Sequence, residues 1–236
     1  MSAPAQLYGN DIAPAAALMA DPTRACILLA LMPGRPLAAG ELARMAGVGA
    51  ATASFHLGKL LEGGLVAVAR QGRHRYYQLA DHDVAAALEA IALISPVVPP
   101  RSLRQSREAE ALAQARTCYD HLAGRAGVEL LDALVRHGLL ERIGTPAARY
   151  EVTEAGREQF RTFGINIEEV RHTRRNFAGE CIDWTQRRGH LNGALAAAIT
   201  ARMFALGWIE HGSRRRSVRV TEAGAEGMAA TFGVDR

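Results

Sequence analysis

Apolar residues recur along the first hundred positions in two periods, helical at first and then alternating. Residues 12–20 form an Ala-rich apolar stretch suited to a helix. Asp21-Pro22-Thr23 reads as a stop and restart, with Asp21 capping the next helix and Pro22 in its first turn, where a missing N–H costs nothing. Ile27, Leu28 and Leu31 give that helix its apolar face, and Pro33-Gly34-Arg35-Pro36 ends it. A helix from about Ala39 to Met45 breaks at Gly47-Val48-Gly49. Another from about Ala50 to Leu61 breaks at Gly63-Gly64. Two short runs, Leu65 to Arg70 and Arg73 to Leu79, flank Gln71-Gly72 and predict a β-hairpin. Asp81 caps a further helix through about Ile94. Pro96, Pro99 and Pro100 then mark a linker, because proline cannot continue a helix.

Beyond the linker the pattern repeats itself. Cys118-Tyr119-Asp120 is echoed by Cys181-Ile182-Asp183, and His121-Leu122-Ala123-Gly124 by His190-Leu191-Asn192-Gly193. Gly138-Leu139-Leu140-Glu141 matches Gly207-Trp208-Ile209-Glu210, and Val152-Thr153-Glu154-Ala155-Gly156 matches Val220-Thr221-Glu222-Ala223-Gly224. Thr162-Phe163-Gly164 returns as Thr231-Phe232-Gly233. Each copy reads as helix, glycine, strand, basic loop, strand and closing helix, the order in which a winged helix ends. The expected fold is therefore mainly α with small β-hairpin wings, in the α+β class. It comprises an N-terminal winged helix-turn-helix over 1–95, a Pro-containing linker over 96–105 and a duplicated C-terminal domain over 106–236. The two winged-helix-like repeats occupy about 118–170 and 181–236. Neither repeat carries a clear recognition helix, so a sensing or dimerising role is expected.

Composition narrows the class. With 236 residues, 49% of them hydrophobic, the chain can bury a real core in one or two domains of about 150 residues each. The net charge of +4 permits a nucleic-acid partner without demanding one. Acids and bases balance over residues 1–100, so DNA affinity there has to come from local clustering. Three cysteines, Cys26, Cys118 and Cys181, form no disulfide framework and suit a reducing cytosol. Residues 1–10 lack the regions of a signal peptide, and the best apolar stretch, Leu191 to Ile209, is interrupted by Asn192, Thr200 and Arg202. A cytoplasmic protein with no membrane partner is expected.

The segment from Glu41 to Leu61 reads as two helices joined by a glycine turn. Leu42, Val48, Ala53, Leu57 and Leu60 fall where a helix-turn-helix needs apolar packing. The other face of the second helix offers Ala51, Thr52, Ser54, Phe55, His56 and Lys59 to a major groove. Arg70, Arg73, His74 and Arg75 lie near the hairpin tip, suited to phosphate or the minor groove. Together with Asp21-Pro22-Thr23-Arg24, Glu62-Gly63-Gly64-Leu65-Val66 and Gly72-Arg73-His74-Arg75-Tyr76-Tyr77, this segment resembles the ArsR family of winged-helix repressors over about residues 10–95. The resemblance implies a homodimer built on the first and last helices of the region, binding to double-stranded operator DNA and release by an effector. Two departures stand out. Leu37-Ala38-Ala39-Gly40 replace the cysteine pair of metal-sensing members, and alanines occupy positions 50 and 51, where many members have polar residues. Use of the winged helix for dimerisation alone, in a metal-, thiol- or ligand-binding sensor, is the competing reading.

Candidate effector residues lie in the repeats: Cys118, Asp120, His121, Cys181, Asp183, Trp184 and His190. Cys118 and His121 are expected three apart on one helical face. With Cys181 and His190 they could ligate zinc or another thiophilic metal, sense thiol chemistry, or simply fill a core. Trp184, with Arg187 and Arg188, could line a pocket for an organic effector or pack inside. Cys26 is expected in the core. The basic clusters Arg171-Arg174-Arg175 and Arg214-Arg215-Arg216 read as solvated faces or accessory phosphate contacts. No cofactor is required by the sequence. An enzyme is not expected, since no Gly-rich cofactor loop follows a strand in the second half.

Overall fold

Between α1 (Ala13–Met19) and α2 (Pro22–Leu31), the Asp21 carboxylate accepts the Arg24 amide at 2.9 Å, the N-cap its position in the sequence predicts. The computed structural model describes residues 11–72, 74–144, 148–173, 175–212 and 216–235. Arg73, Arg174, Arg214 and Arg215 lie outside the described residues. β1 (Leu37–Ala38) leads into α3 (Ala39–Ala46), where Glu41 accepts the Ala38 amide at 2.9 Å. Gly47, at φ 67°, ends α3 in the left-handed conformation that glycine adopts without steric cost. α4 (Ala50–Glu62) follows, then β2 (Val66–Gln71) and β3 (His74–Leu79). The sheet order is β1–β3–β2, with all pairs antiparallel. Ile27, Leu28 and Leu31 of α2, Leu42 of α3 and Leu57 and Leu60 of α4 are buried, and Leu79 closes the core from the hairpin. The region is the expected winged helix-turn-helix. Cys26, expected in the core, is half-buried, its thiol donating to Met45 O at 3.4 Å.

α5 (His82–Ile94) starts at Asp81, whose carboxylate accepts the Val84 amide. The chain divides into two units at Ala85/Ala86, within this helix and ahead of Pro96. Beyond the division, Glu89 is buried in the second unit and ion-paired to Arg116 and Arg216.

The second unit continues with α6 (Leu103–Gln114), capped by Ser102, and the hairpin β4 (Arg116–Cys118) and β5 (His121–Ala123). Next come α7 (Arg125–Arg136), β6 (Leu140–Ile143), β7 (Arg149–Val152), α8 (Glu154–Phe163) and α9 (Ile167–Arg171). β8 (Gly179–Ile182), β9 (Gly189–Asn192), α10 (Ala194–Ala205), β10 (Ile209–His211), β11 (Val218–Val220) and α11 (Glu222–Phe232) complete it. The series hairpin, helix, hairpin, helix therefore occurs twice, and local details recur with it. Thr153 and Thr221 cap α8 and α11 by accepting the amides of Gly156 and Gly224. Gly124 and Gly193 precede α7 and α10 at φ 76° and 94°. A Cβ on Gly193 would stand 2.6 Å from Asn176 O, so the close approach also excludes a side chain. The two series share one core. β7 pairs with β8 in the sheet β6–β7–β8–β9, and Phe232 packs against Phe160 and Phe163 at 6.0 and 4.9 Å between ring centroids. No single helix among the described residues is long and apolar enough to cross a membrane.

Candidate functional site

α4 divides its residues as a reading helix must. Ala53, Leu57 and Leu60 are buried, while Ala51, Thr52, Ser54, Phe55 and Lys59 are exposed. Phe55 is 60% exposed, a large apolar group on an otherwise polar face, with Lys59 Nζ 5.0 Å from its ring centre. His56 departs from expectation. Its side chain is only 12% exposed and its Nδ1 lies 3.5 Å from Asp21 Oδ1, so it turns inward to the cap of α2 rather than outward. Helical periodicity alone places residue 56 beside 52 and could not reveal Asp21 across the fold. In the wing, Gly72 takes φ 59° at the tip. Arg70 faces Arg75 across the strands and Gln71 faces His74. Arg70, His74 and Arg75 are exposed, and neither arginine is ion-paired among the described residues. Like charges directly opposite each other repel, so this pair is best satisfied by an external anion.

The second candidate site corrects one expectation and gathers four others. Cys118 and His121 are not on a helix; they are cross-strand partners in the β4–β5 hairpin, whose two-residue turn sets Tyr119 at φ 61°. Cys181 and His190 are likewise cross-strand partners in β8–β9. The two hairpins meet so that one donor atom from each of Cys118, His121, Cys181 and His190 lies within 4.8 Å of the others. The imidazoles of His121 and His190 stack at 5.3 Å. Both histidines and Cys118 are buried, and Cys181 is half-buried.

Polar neighbours surround the cluster. Asp120 Oδ1 lies 3.4 Å from His121 Nδ1, and Arg175 holds Asp120. Burial pushes the Asp120 carboxyl up, but its hydrogen bonds with His121 and Arg175 outweigh this and hold it at about 2. Asn192 Nδ2 donates to Cys181 Sγ at 2.9 Å. Hydrogen bonds from Cys118, His121 and Asn192 hold the Cys181 thiol well below its usual range against the opposing effect of burial. The same Cys118–Cys181 bond and burial push Cys118 up. Burial pulls His121 down, yet Asp120 and Cys181 raise it overall. His190 is pulled down to about 4 by burial and by His121. Neither ring nitrogen of His190 has a hydrogen-bond partner among the described residues.

Asp183 and Trp184 belong to a different structure. Asp183 is fully buried, ion-paired to Arg116 Nη2 at 2.9 Å, and accepts hydrogen bonds from Arg116 Nη1 at 3.2 Å, the Gly124 amide at 2.6 Å and the amides of Thr185 and Gln186. Burial pushes its carboxyl up, but Arg116 and these hydrogen bonds hold it well below the usual carboxylate range. Its acceptor capacity is spent on the fold, which removes it as a ligand. The Arg116 guanidinium lies 4.7 Å from the centre of the ring of Trp184, which is half-buried. Sequence reasoning missed Arg116 and Glu89, a fully buried arginine and its buried carboxylate partner. Nothing local in the sequence marks either one.

Residues 19–69 match the model of a helix-turn-helix domain. Among solved structures, NolR from Sinorhizobium fredii is similar at 31% identity over 36% of this chain and 85% of that one, with a TM-score of 0.34. The homodimeric winged helix-turn-helix DNA-binding domain of a possible ArsR-family regulator from Mycobacterium bovis is similar at 31% identity. It covers 35% of this chain and 76% of that one, with a TM-score of 0.33. YdfF, an HTH-type transcriptional regulator of Bacillus subtilis strain 168, is 45% identical over 214 residues, 91% of this chain and 93% of its own length. That span exceeds either unit alone, and the chain belongs to the HTH-type transcriptional regulators.

Proposed function

We propose that this regulator is of the ArsR type: a cytoplasmic homodimer that reads an inverted repeat in double-stranded operator DNA and represses until an effector releases it. One observation carries the reading. The exposed face of α4, with Thr52, Ser54, Phe55 and Lys59, lies in the same winged helix as an arginine couple, Arg70 and Arg75, that has no ion-pair partner among the described residues. The helix face suits base edges and the Phe55 ring suits thymine methyls, while the arginines suit phosphate. The described residues of each chain hold one such helix, so two half-sites about one helical turn apart need two chains. The second unit, with its hairpin–helix series present twice, is read as an internal duplication that senses the effector. Regulation rather than catalysis is its role. Asp120, close to His121 at the meeting of the hairpins, is part of that sensing region.

The test is selection of duplex DNA from a random pool with the full chain, followed by binding titrations on the selected site. Expected are a palindromic site, a two-to-one complex, and loss of sequence discrimination in Thr52→Ala and Phe55→Ala with the fold unchanged. A tight complex of one chain on one half-site would overturn the dimer. Absence of any salt-sensitive DNA binding would favour the dimerisation-only reading.

A further inference from the structure

Two hairpins far apart in sequence each set a cysteine directly opposite a histidine, and they bring the four side chains to one point. We infer that Cys118, His121, Cys181 and His190 form a closed tetrahedral site for a zinc-class cation. This site lies in the second unit, and the inference stands whatever the first unit binds.

The donor set comes first. Two thiolates and two imidazoles match structural zinc, and the two thiolate charges balance the cation. Spacing agrees. Bond lengths of about 2.3 Å to sulfur and 2.0–2.1 Å to nitrogen place tetrahedral donors roughly 3.3–3.8 Å apart. The donors here all lie within 4.8 Å of one another, a gap that side-chain rotation closes.

His190 supplies an independent observation. It is fully buried, and neither of its ring nitrogens has a hydrogen-bond partner among the described residues. A buried imidazole left this way is costly, and a core position would be filled better by an apolar side chain. A cation gives one of those nitrogens its partner. The surroundings are also those of a metal site. Asp120 faces His121 Nδ1, which turns Nε2 toward the cation, and the Asn192 amide donates to Cys181 Sγ. With four protein donors, three of them buried, the site keeps no position open for a reacting water, so its task is to hold the hairpins together rather than to catalyse.

The experiment uses the full chain, purified with reductant, stripped by chelator and titrated with Zn2+ or Co2+. Expected are one equivalent bound per chain, a cobalt spectrum with thiolate charge transfer and intense tetrahedral d–d bands, and a zinc X-ray absorption shell of two sulfurs and two nitrogens. The Cys118→Ser, Cys181→Ser double variant should lose stoichiometric binding. Should that variant fail to fold, the cobalt spectrum and absorption shell of the unaltered chain decide the matter. A six-coordinate, oxygen-rich shell would overturn the site. So would full zinc uptake by a folded double variant, or a Cys118–Cys181 disulfide persisting in the reduced protein.

Discussion

Arg70 and Arg75 stand opposite each other with no acid paired to either among the described residues, and the phosphate contact proposed for them makes a measurable claim. Contacts to phosphate release condensed counterions, and each is worth about 0.9 in the slope of log K against log salt. Replacing both with alanine should lower affinity for every duplex and reduce that slope by about 2, measured by anisotropy titrations at several salt concentrations. An unchanged slope would mean that the wing does not touch the backbone. Asp183 is a residue of the opposite kind. Removing one member of a buried ion pair strands the other, at a cost of about 3–5 kcal/mol. Asp183→Asn should therefore lower stability toward that scale in urea unfolding, tempered by Glu89, which still pairs with the fully buried Arg116. A loss below about 1 kcal/mol would show the pair to be dispensable. Neither Arg116 nor Glu89 could be singled out from sequence, because a charged residue declares its burial only when distant segments close over it.

Elements differ in how far local sequence announces them. The helices and hairpin of the first unit were legible, though β1 was not: Asp21-Pro22, the glycines at 47 and 49, Gly63-Gly64 and the alternating tyrosine run each act within a few residues. The β4–β5 hairpin was not. Its strands are three residues long, and its turn lacks the glycine that usually marks one, with Tyr119 adopting positive φ instead. Three-residue spacing then looked helical. The repeat did carry the information, for the spacing between Cys181 and His190 does not suit one helical face, and matching motifs adopt matching structure. Two glycines test the backbone at this scale. Gly58 sits inside α4 with open space where a Cβ would go, so Gly58→Ala should stabilise by about 0.5–1 kcal/mol. Gly193→Ala meets both a φ of 94° and the Asn176 carbonyl, and should destabilise by about 1–3 kcal/mol. Chemical denaturation of the two variants should move in opposite directions.

At the scale of the whole molecule, the question is whether a cation in the second unit changes what the first unit does. β4 carries both Arg116, ion-paired to Glu89 on α5, and Cys118 of the cluster. α5 itself runs through the division between the units. Cation binding that sets β4 is therefore expected to alter operator affinity by about 5–150-fold, and linkage requires operator to alter cation affinity by the same factor. Paired titrations, DNA with and without Zn2+ and Zn2+ with and without DNA, check both halves of that statement. Equal operator affinity for the stripped and loaded chains would confine the cation to a structural role.

The shared aromatic core of the second unit has a consequence for how the chain is made. Phe160 packs against Phe232, Phe163 packs against both Phe232 and Trp208, and β7 takes β8 as its second neighbour. The earlier hairpin–helix series therefore leaves the ribosome with part of its apolar face uncovered and waits for the later one. At roughly 5–20 residues per second that wait is on the order of ten seconds, while the winged helix ahead of it is free to fold. Pairings this distant in sequence also close slowly once both partners exist. During that interval the nascent second unit is a natural client for chaperones, and the tandem copies are exposed to pairing with a neighbouring chain's copy instead of their own.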